Sequence, residues 1–222
     1  MRILEDKETG LTWYTPDIVT DERGYNKYNA IDEKALNDIF LELNSWQSEN
    51  INEYILGDDY CYELGDFLKD LGGNKFKHFF AYDHGDLVAS ILMRHSDKLI
   101  FHATLRSYII DHNEVGIRRK KGVFLPLDLA QKALDNDNGE NNSIVEYFVV
   151  SPKHQGQGVG TRALWSVNHN LDFFTNNNLN SISTTIHRSN EASKKVFTRN
   201  NYLKPYDYYT SYSQLDFYFN IM

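Results

Sequence analysis

Three glycines within five residues, Gly156, Gly158 and Gly160, constrain this chain more than any other feature. They follow an apolar run of strand length, residues 144–150, and precede a stretch whose apolar residues have helical spacing. A glycine lets the backbone adopt conformations closed to other residues, and it lets a ligand approach the amides closely. A helix that begins there directs its first N–H groups and the positive end of its dipole into the turn. The sequence therefore predicts a strand, an anion-binding turn and a helix.

The spacing of these glycines discriminates between known phosphate-binding turns. A Walker loop needs Gly, four residues and then Gly-Lys-Ser/Thr, but Gly160 is followed by Thr161 and Arg162. A dinucleotide-binding turn needs Gly-x-Gly-x-x-Gly and an acidic residue after the next strand, and neither occurs here, the next strand ending near Ile186. A nucleotide-binding protein of the Rossmann or P-loop type is disfavoured by the spacing but stays open.

The segment resembles the acetyl-CoA loop of the Gcn5-related N-acetyltransferase (GNAT) superfamily. The family pattern, Gln/Arg-x-x-Gly-x-Gly/Ala, is met by Gln155, Gly158 and Gly160. Residues 190–202 are similar to a second family segment, Asn-x-x-Ala followed by Tyr-x-x-x-Gly-Phe. The resemblance is strong over about residues 144–203.

This resemblance implies the GNAT fold, an α/β (α+β) class with a mixed, mostly antiparallel twisted sheet flanked by helices. Two central strands of that fold start adjacent and splay apart. We expect a single domain over residues 1–222, with the acetyl-CoA-binding core at about 144–203 and acceptor-side helices at about 28–73. The implied activity is acetyl-CoA-dependent N-acetyl transfer to an amine.

The resemblance also implies which residues hold acetyl-CoA, the co-substrate, and it implies no metal. The pantetheine arm fills the gap between the splayed strands, held by backbone amides of one strand and by Asn190 from the other side. The amides of residues 155–161 hold the pyrophosphate, and Lys153, Arg162 and Lys195 are candidates for the nucleotide's phosphates. The predicted cofactor-binding residues are Phe148, Val149, Val150, Gln155, Gly156, Gln157, Gly158, Val159, Gly160, Thr161, Asn190 and Lys195.

Acyl transfer to an amine needs a neutral amine, a stabilised oxyanion and a proton for the departing thiolate. Glu146 is the candidate base, because strand alternation places it on the face of Phe148 and Val150 and because some family members have a glutamate at this point. The N–H of Val150 would polarise the thioester carbonyl. A glutamate that caps the sheet or pairs with a neighbouring cation is an equal alternative.

The usual general acid of the family is a tyrosine, and here the matching position is Phe197. Either the thiolate leaves unaided or another hydroxyl substitutes for the missing tyrosine. Tyr202 has the best position, and Tyr206 and Tyr208 lie near it in sequence. The absent tyrosine also supports an alternative function, a catalytically weak module that binds or senses acyl-CoA.

Apolar spacing predicts the other elements of the chain. The predicted helices are residues 31–46, 60–71, 127–134, about 159–171 and 191–199. The predicted strands are residues 76–82 and 87–93, which form a hairpin, then 99–110, 144–150 and 182–186, with one or two more in the aromatic tail. Residues 8–29 are expected to be a loop whose Trp13, Tyr14, Tyr25 and Tyr28 line the acceptor pocket or pack.

The charge is unevenly distributed. The chain has a net charge of −8, residues 1–60 contribute −9, and residues 151–200 contribute +4. An acidic chain is a poor binder of nucleic acid, whereas its basic segment coincides with the proposed acetyl-CoA site. The acidic block favours a small-molecule or peptidic amine acceptor that is cationic.

The remaining composition excludes other classes. The single cysteine, Cys61, provides neither an internal disulfide nor a thiolate cluster for zinc. The charged amino terminus is unlike a signal peptide, and no window approaches the ~18 apolar residues of a membrane span. We therefore expect a cytoplasmic protein without a membrane partner, and a homodimer stays open.

Overall fold

The computed structural model describes residues 2–20, 22, 26–28, 30–50, 76–96, 99, 101–115, 124–137, 141–175, 179–205 and 215–222. The chain divides into two units. The first unit holds Met1–Arg94 and Glu146–Phe174, and the second holds His95–Val145 and Thr175–Met222. The expectation of a single domain over residues 1–222 stays a prediction.

Strands and helices alternate along the described chain. The strands are β1 (Arg2–Asp6), β2 (Leu11–Thr15), β3 (Ile18–Thr20), β4 (Asn26–Tyr28), β5 (Phe76–Asp83), β6 (Asp86–Ser96), β7 (Asn142–Val150), β8 (Ser181–His187) and β9 (Leu215–Ile221). The helices are α1 (Ala30–Asn50), α2 (His102–Val115), α3 (Leu127–Asp135), α4 (Val159–His169), α5 (Leu171–Phe174) and α6 (Glu191–Arg199). None of these helices combines the length and the apolar character needed to cross a membrane.

Seven strands follow one another in the order β1-β2-β5-β6-β7-β8-β9, and β3 pairs with β4 separately. In the first unit, β1 pairs with β2, β2 with β5 and β5 with β6, all antiparallel. In the second unit, β7 pairs with β8 in parallel and β8 pairs with β9 antiparallel. The parallel pairing covers Asn142–Val145 and ends there, although β7 continues to Val150. The mixed, mostly antiparallel sheet expected from the sequence is confirmed.

Most predicted elements are confirmed by the structure. The hairpin at residues 76–82 and 87–93 corresponds to β5 and β6, and the predicted helices at 31–46, 127–134 and 191–199 lie within α1, α3 and α6. The predicted strands at 144–150 and 182–186 lie within β7 and β8, and the described part of the tail contributes β9. The predicted helix at 60–71 lies outside the described residues.

The third strand predicted at residues 99–110 is wrong, because this segment forms helix α2. Its β-branched and aromatic residues favour a strand by composition, but the buried side chains Leu105, Tyr108 and Ile109 have the spacing of one helix face. The N–H of Leu105 donates to the carbonyl of Phe101 over 3.0 Å, which begins the helical pattern. The helical spacing of the apolar residues therefore agrees with the structure, whereas the β-branched and aromatic composition does not.

The loop expected at residues 8–29 is wrong, because strands β2, β3 and β4 lie within it, and strand β1 before it was not predicted. Leu11, Trp13 and Thr15 are buried and alternate with half-buried residues along β2. This period of two is the mark of a strand with one buried face. The alternation spans only five residues, too few for a distinct periodic signal in the sequence.

Successive side chains of β5 point to opposite faces of the sheet, and both faces are packed in the first unit. Phe79 contacts Phe174 of α5 with ring centroids 4.8 Å apart, and Trp13 meets the same ring edge-on at 4.9 Å. Phe80 points to the opposite face and packs with α1. The buried residues of α1 in this second cluster are Leu36, Ile39, Phe40, Leu43 and Trp46.

The second unit has its own core beneath α2 and α3. Phe219 of β9 is fully buried against residues of both helices. The hydroxyl of Tyr108 donates to the carbonyl of Leu125 over 2.9 Å, which ties α2 to the chain just before α3.

A buried carboxylate attaches the β1–β2 turn to α4 in the first unit. Asp6 is 6% exposed and accepts hydrogen bonds from the hydroxyl of Ser166 at 2.5 Å and the side-chain amide of Asn170 at 3.4 Å. It also accepts from the backbone N–H groups of Glu8 and Thr9. Burial alone would raise the pKa of Asp6, but hydrogen bonds from the side chains of Ser166 and Thr9 and from the N–H groups of Glu8 and Thr9 outweigh it and lower the pKa.

We expect Asp6→Asn to lower the free energy of unfolding by about 1–3 kcal/mol at pH 7, because buried donors lose a charged acceptor. A lowered folded-state pKa stabilises the protein above the ordinary value of 3.8, and this stabilisation is lost as pH falls through the folded-state pKa. The deficit of the variant should therefore shrink in acid. Urea unfolding at pH 7 and at about pH 3 measures both effects.

The matched control for this substitution is Glu5→Gln, which removes an exposed carboxylate from the same strand. We expect it to change stability by less than about 0.5 kcal/mol. Equal losses in the two variants would show that the hydrogen bonds of Asp6 do not stabilise the fold.

Candidate functional site

The glycine-rich segment connects β7 to α4 within the first unit. β7 ends at Val150, and the N–H of the buried Ser151 donates to the carbonyl of Val88 over 2.9 Å, which fixes the strand end against β6. A short 3-10 helix, Pro152–His154, turns the chain before the glycines. Gly158 is the residue that caps the N-terminus of α4. We call residues 151–158 the glycine turn.

Two glycines of this turn adopt a conformation that other residues avoid. Gly156 has φ +76° and Gly158 has φ +80°. A Cβ atom at either position would meet nothing within 4 Å, so both face open space. No side chain caps α4 at its N-cap. The first turn of α4 therefore directs N–H groups toward space that is free of side chains at Gly156 and Gly158, as anion binding requires.

The two glutamines of the turn brace its backbone. The side-chain amide of Gln155 donates to the carbonyl of Val150 over 3.3 Å, and that of Gln157 donates to the carbonyl of Lys153 over 2.8 Å. These side-chain bonds are additional to the backbone amides of Gln155 and Gln157, which are expected to bind the pyrophosphate. The side chain of Gln155, at the first position of the motif, thus has a structural role in the turn.

Arg162 is used inside the first unit. Its guanidinium donates to the carboxylate of Asp83 over 2.7 Å and to the carbonyl of Thr9 over 2.8 Å. These contacts join the first turns of α4 to the β5–β6 turn and to the β1–β2 turn. Arg162 is thus a structural anchor, whereas Lys153, the other candidate cation of this unit, is exposed.

Glu146, the candidate base, pairs with a cation. Its Oε1 accepts from Nε of Arg94 on β6, and about a third of each side chain is exposed, 33% and 32%. Arg94 also lies over the ring of Phe76 at 6.0 Å. The alternative of a glutamate paired with a neighbouring cation is therefore observed. Among the described residues, Oε2 of Glu146 has no recorded hydrogen bond, and the base role stays a prediction.

The second unit contains the other predicted cofactor residues. Asn190 is the N-cap of α6, and its side-chain oxygen accepts from the N–H of Ser193 over 3.0 Å. Lys194 donates to Glu191 at 2.8 Å and to the carbonyl of Arg188. Lys195 is exposed on the same helix. Asn190 thus has a capping role whether or not it contacts a ligand.

Tyr202, the candidate acid, is fully buried in the second unit. Its ring meets that of Phe197 edge-on, with centroids 5.0 Å apart. Burial raises the pKa of Tyr202 well above its usual range, so the phenol carries its proton at neutral pH. Tyr206 and Tyr208 lie outside the described residues, and the role of Tyr202 as acid stays a prediction.

No metal-ligating cluster occurs in the described ranges, where no three His, Cys, Asp or Glu side chains are placed to share an ion. Of the aromatics suggested for the acceptor pocket, Trp13 belongs to the core and Tyr14 lines a cavity of the first unit. Tyr25 lies outside the described residues, and for Tyr28 only the backbone is described.

Comparison with known proteins identifies the family of this arrangement. The model of the acetyltransferase (GNAT) family matches residues 40–202. No curated protein has a sequence that matches the chain.

Solved structures share the fold at low sequence identity. The GNAT domain of S. lividans PAT has a TM-score of 0.52 and 14% identity, covering 93% of this chain and 97% of that one. The ribosomal L7/L12 alpha-N-protein acetyltransferase RimL, in complex with coenzyme A, has a TM-score of 0.53 and 13% identity, covering 100% and 98%. The acetyltransferase AAC(6')-Ib, in complex with ribostamycin and coenzyme A, has a TM-score of 0.52 and 11% identity, covering 83% and 88%.

Proposed function

The chain belongs to the GNAT family of acetyltransferases, and on that premise we propose that it transfers an acetyl group from acetyl-CoA to a primary amine of a small cationic acceptor. The observation that carries this proposal is the glycine turn, where Gly156 and Gly158 open the N-terminus of α4 with positive φ. We infer direct attack of the amine on the thioester, with both substrates bound together.

The glycine turn suits the pyrophosphate of acetyl-CoA. Its open space is free of side chains at Gly156 and Gly158, and the first N–H groups of α4 lie at its edge. Gln155 and Gln157 hold the backbone of the turn in place, so less ordering is needed on binding. Bound acetyl-CoA supplies an acetyl group activated as a thioester.

Glu146 takes the proton of the acceptor's ammonium in this proposal, directly or through one water. An alkylammonium has a pKa of about 10, so it loses its proton only when a positioned base accepts it. The bond from Arg94 orients the carboxylate through Oε1 and leaves Oε2 directed away from that bond. The N–H of Val150 polarises the thioester carbonyl.

The CoA thiolate can leave unaided, or a general acid can protonate it as it leaves. A thiol has a pKa of about 8.5, which makes thiolate a tolerable leaving group at neutral pH. Tyr202 carries a proton to give but has no exposed surface, whereas Phe197 has no proton to give. The balance therefore favours unaided departure, with Tyr202 as the candidate donor if one acts.

We infer a cationic acceptor from the net charge of −9 over residues 1–60. Such a block attracts cations at long range and repels polyanions. The named neighbours include an acetyltransferase of a ribosomal protein and one of aminoglycosides, both with amine acceptors. These neighbours support the amine class and do not distinguish a small molecule from a peptide.

The proposed function predicts acetyl-CoA-dependent thiol release with at least one of a panel of polyamines, aminoglycosides and lysine-type amines. Thiol detection and mass spectrometry of the acetylated amine measure it. Added salt should raise the apparent KM for the acceptor, because it screens the attraction. Tight CoA binding without turnover on any amine would instead support the acyl-CoA-sensing alternative, and a KM indifferent to salt would contradict a cationic acceptor.

Gly158→Ala should weaken acetyl-CoA binding about tenfold, because alanine disfavours positive φ and the relaxed turn moves the first amides of α4. Isothermal titration with CoA measures the affinity. Gly85→Ala is the matched control, since Gly85 also has positive φ, at +93°, and also faces open space. Both variants should lose about 1 kcal/mol of stability, and only Gly158→Ala should lose affinity. Equal affinities would contradict pyrophosphate binding at the turn.

Glu146→Gln should lower kcat about 10²-fold or more if the carboxylate is the base, with CoA affinity unchanged. The comparison variant is Arg94→Gln, which removes the same ion pair but leaves the carboxylate. If Glu146 serves only as an ion-pair partner, both variants should lose similar stability and similar activity. Steady-state kinetics over a range of pH distinguishes the two roles.

A further inference from the structure

A cavity of about 410 Å³ lies in the first unit, apart from the glycine turn. It is bounded by β2, α1, β5 and the β5–β6 turn, and no residue of the glycine turn lines it. Its volume falls in the range of small-molecule pockets, about 300–1,000 Å³. The lining that matters here is Thr12, Tyr14, Leu36, Ile39, Phe80 and Tyr82.

The walls of the cavity are aromatic and aliphatic. Tyr14 and Tyr82 meet edge-on with ring centroids 5.1 Å apart. Phe80 is 1% exposed and forms the floor, while Leu36 and Ile39 belong to the core cluster of α1. The two tyrosines are only partly buried, so their rings and hydroxyls border the space. Such walls accept an apolar or aromatic body, and tyrosine rings also attract a cation.

A carboxylate lies close to these walls. Glu42 is one helical turn beyond Ile39 on α1, and it influences Tyr82 electrostatically. The pKa of Tyr82 is raised first by burial and then by the charges of Glu42 and Tyr14, so its hydroxyl stays protonated and can donate.

The surroundings of the exposed Glu42 side chain raise the pKa of its carboxyl. Burial raises the pKa of its carboxyl, and the charge of Asp86 adds to the rise. Lys153 and His154, the charged and titratable neighbours from the 3-10 helix, act in the opposite direction and are outweighed. A cation bound beside Glu42 would therefore be stabilised.

We propose that this cavity is a second ligand site, which takes a small organic cation with an aromatic or aliphatic body. The body packs on Phe80, Leu36 and Ile39, and the cationic group lies between the tyrosine rings and Glu42. Its walls contain no residue assigned to acetyl-CoA, to the base or to the acid, although Tyr14 and α1 also belong to the expected acceptor side. A site separate from the acceptor pocket should bind tryptamine without acetylating it when acetyl-CoA is present, and acetylation of tryptamine would overturn the separation.

The probe is tryptamine, a cation with an aromatic body, and its neutral isostere tryptophol, in which a hydroxyl replaces the ammonium. Isothermal titration without acetyl-CoA should show saturable binding of one tryptamine per chain and at least about fivefold weaker binding of tryptophol. Saturating CoA should leave the tryptamine affinity unchanged. Absence of saturable binding, equal affinities of the two probes, or displacement by CoA would each overturn the proposal.

Two substitutions on α1 locate the site. Ala35 lines the cavity and is exposed, so Ala35→Phe should fill the space and weaken tryptamine binding about tenfold or more without disturbing the core. Leu41→Phe is the matched control, because Leu41 is 65% exposed on the same helix and lines no part of the cavity. Unchanged binding in Ala35→Phe, or equal losses in both variants, would overturn the location.

Glu42→Gln tests the charge separately and conserves the shape of the side chain. Tryptamine should then bind as weakly as tryptophol does, while tryptophol affinity stays unchanged. Circular dichroism and thermal melting show whether each variant is folded as the parent is. A folded Glu42→Gln variant that still prefers tryptamine would overturn the role of the carboxylate.

Discussion

The hydrogen bonds of one buried carboxylate, Asp6, fix the helix on which the candidate site depends. Ser166, its partner at 2.5 Å, lies on α4 eight residues after Gly158, and Arg162, one turn from the same end, is held by Asp83 at 2.7 Å. A helix transmits such positions along its axis because its backbone hydrogen bonds keep it rigid. The contacts of Ser166 and Arg162 therefore fix the N–H groups at the amino end of α4, so that less conformational entropy is lost when an anion binds.

The ion pair of Glu146 does not oppose a role in catalysis. Exposed and partly exposed ion pairs stabilise a protein by about 0–1 kcal/mol, so breaking the contact between Glu146 and Arg94 costs little free energy. A carboxylate positioned to hold a guanidinium is also positioned to hold the ammonium of an acceptor, because the two cations make similar charge-assisted hydrogen bonds. In the proposed function, the pair with Arg94 keeps the side chain oriented through Oε1 between turnovers, and the ammonium of the acceptor approaches Oε2 of the same carboxylate.

Local patterns made β7, the glycine turn, α4 and α6 predictable from the sequence. Glycines that require positive φ, an N-cap asparagine and apolar periodicity act within a few residues, so they are visible in one sequence. The contacts of Asp6 with Ser166 and of Arg94 with Glu146 join residues 160 and 52 positions apart, and no local pattern encodes them. Residues 99–110 combine β-branched and aromatic composition with helical spacing, so composition alone predicts a strand where helix α2 forms. The cavity beside α1 is likewise not encoded by a local pattern, because β2, α1, β5 and the β5–β6 turn form it together.

The net charge of +4 over residues 151–200 overstates the attraction of this segment for a polyanion. Arg162 pairs with Asp83, and Arg188 bonds to Asp216 at 3.0 Å, and both carboxylates lie outside the segment. Lys194 bonds to Glu191, whose charge the net +4 already includes. Two of the four net charges are therefore neutralised by partners within their own unit. Cations with a neighbouring carboxylate contribute little at the distance of a ligand. If acetyl-CoA binds as proposed, the backbone amides at the N-terminus of α4 carry a larger share of its binding than composition suggests, and that share depends on the positive φ of Gly158.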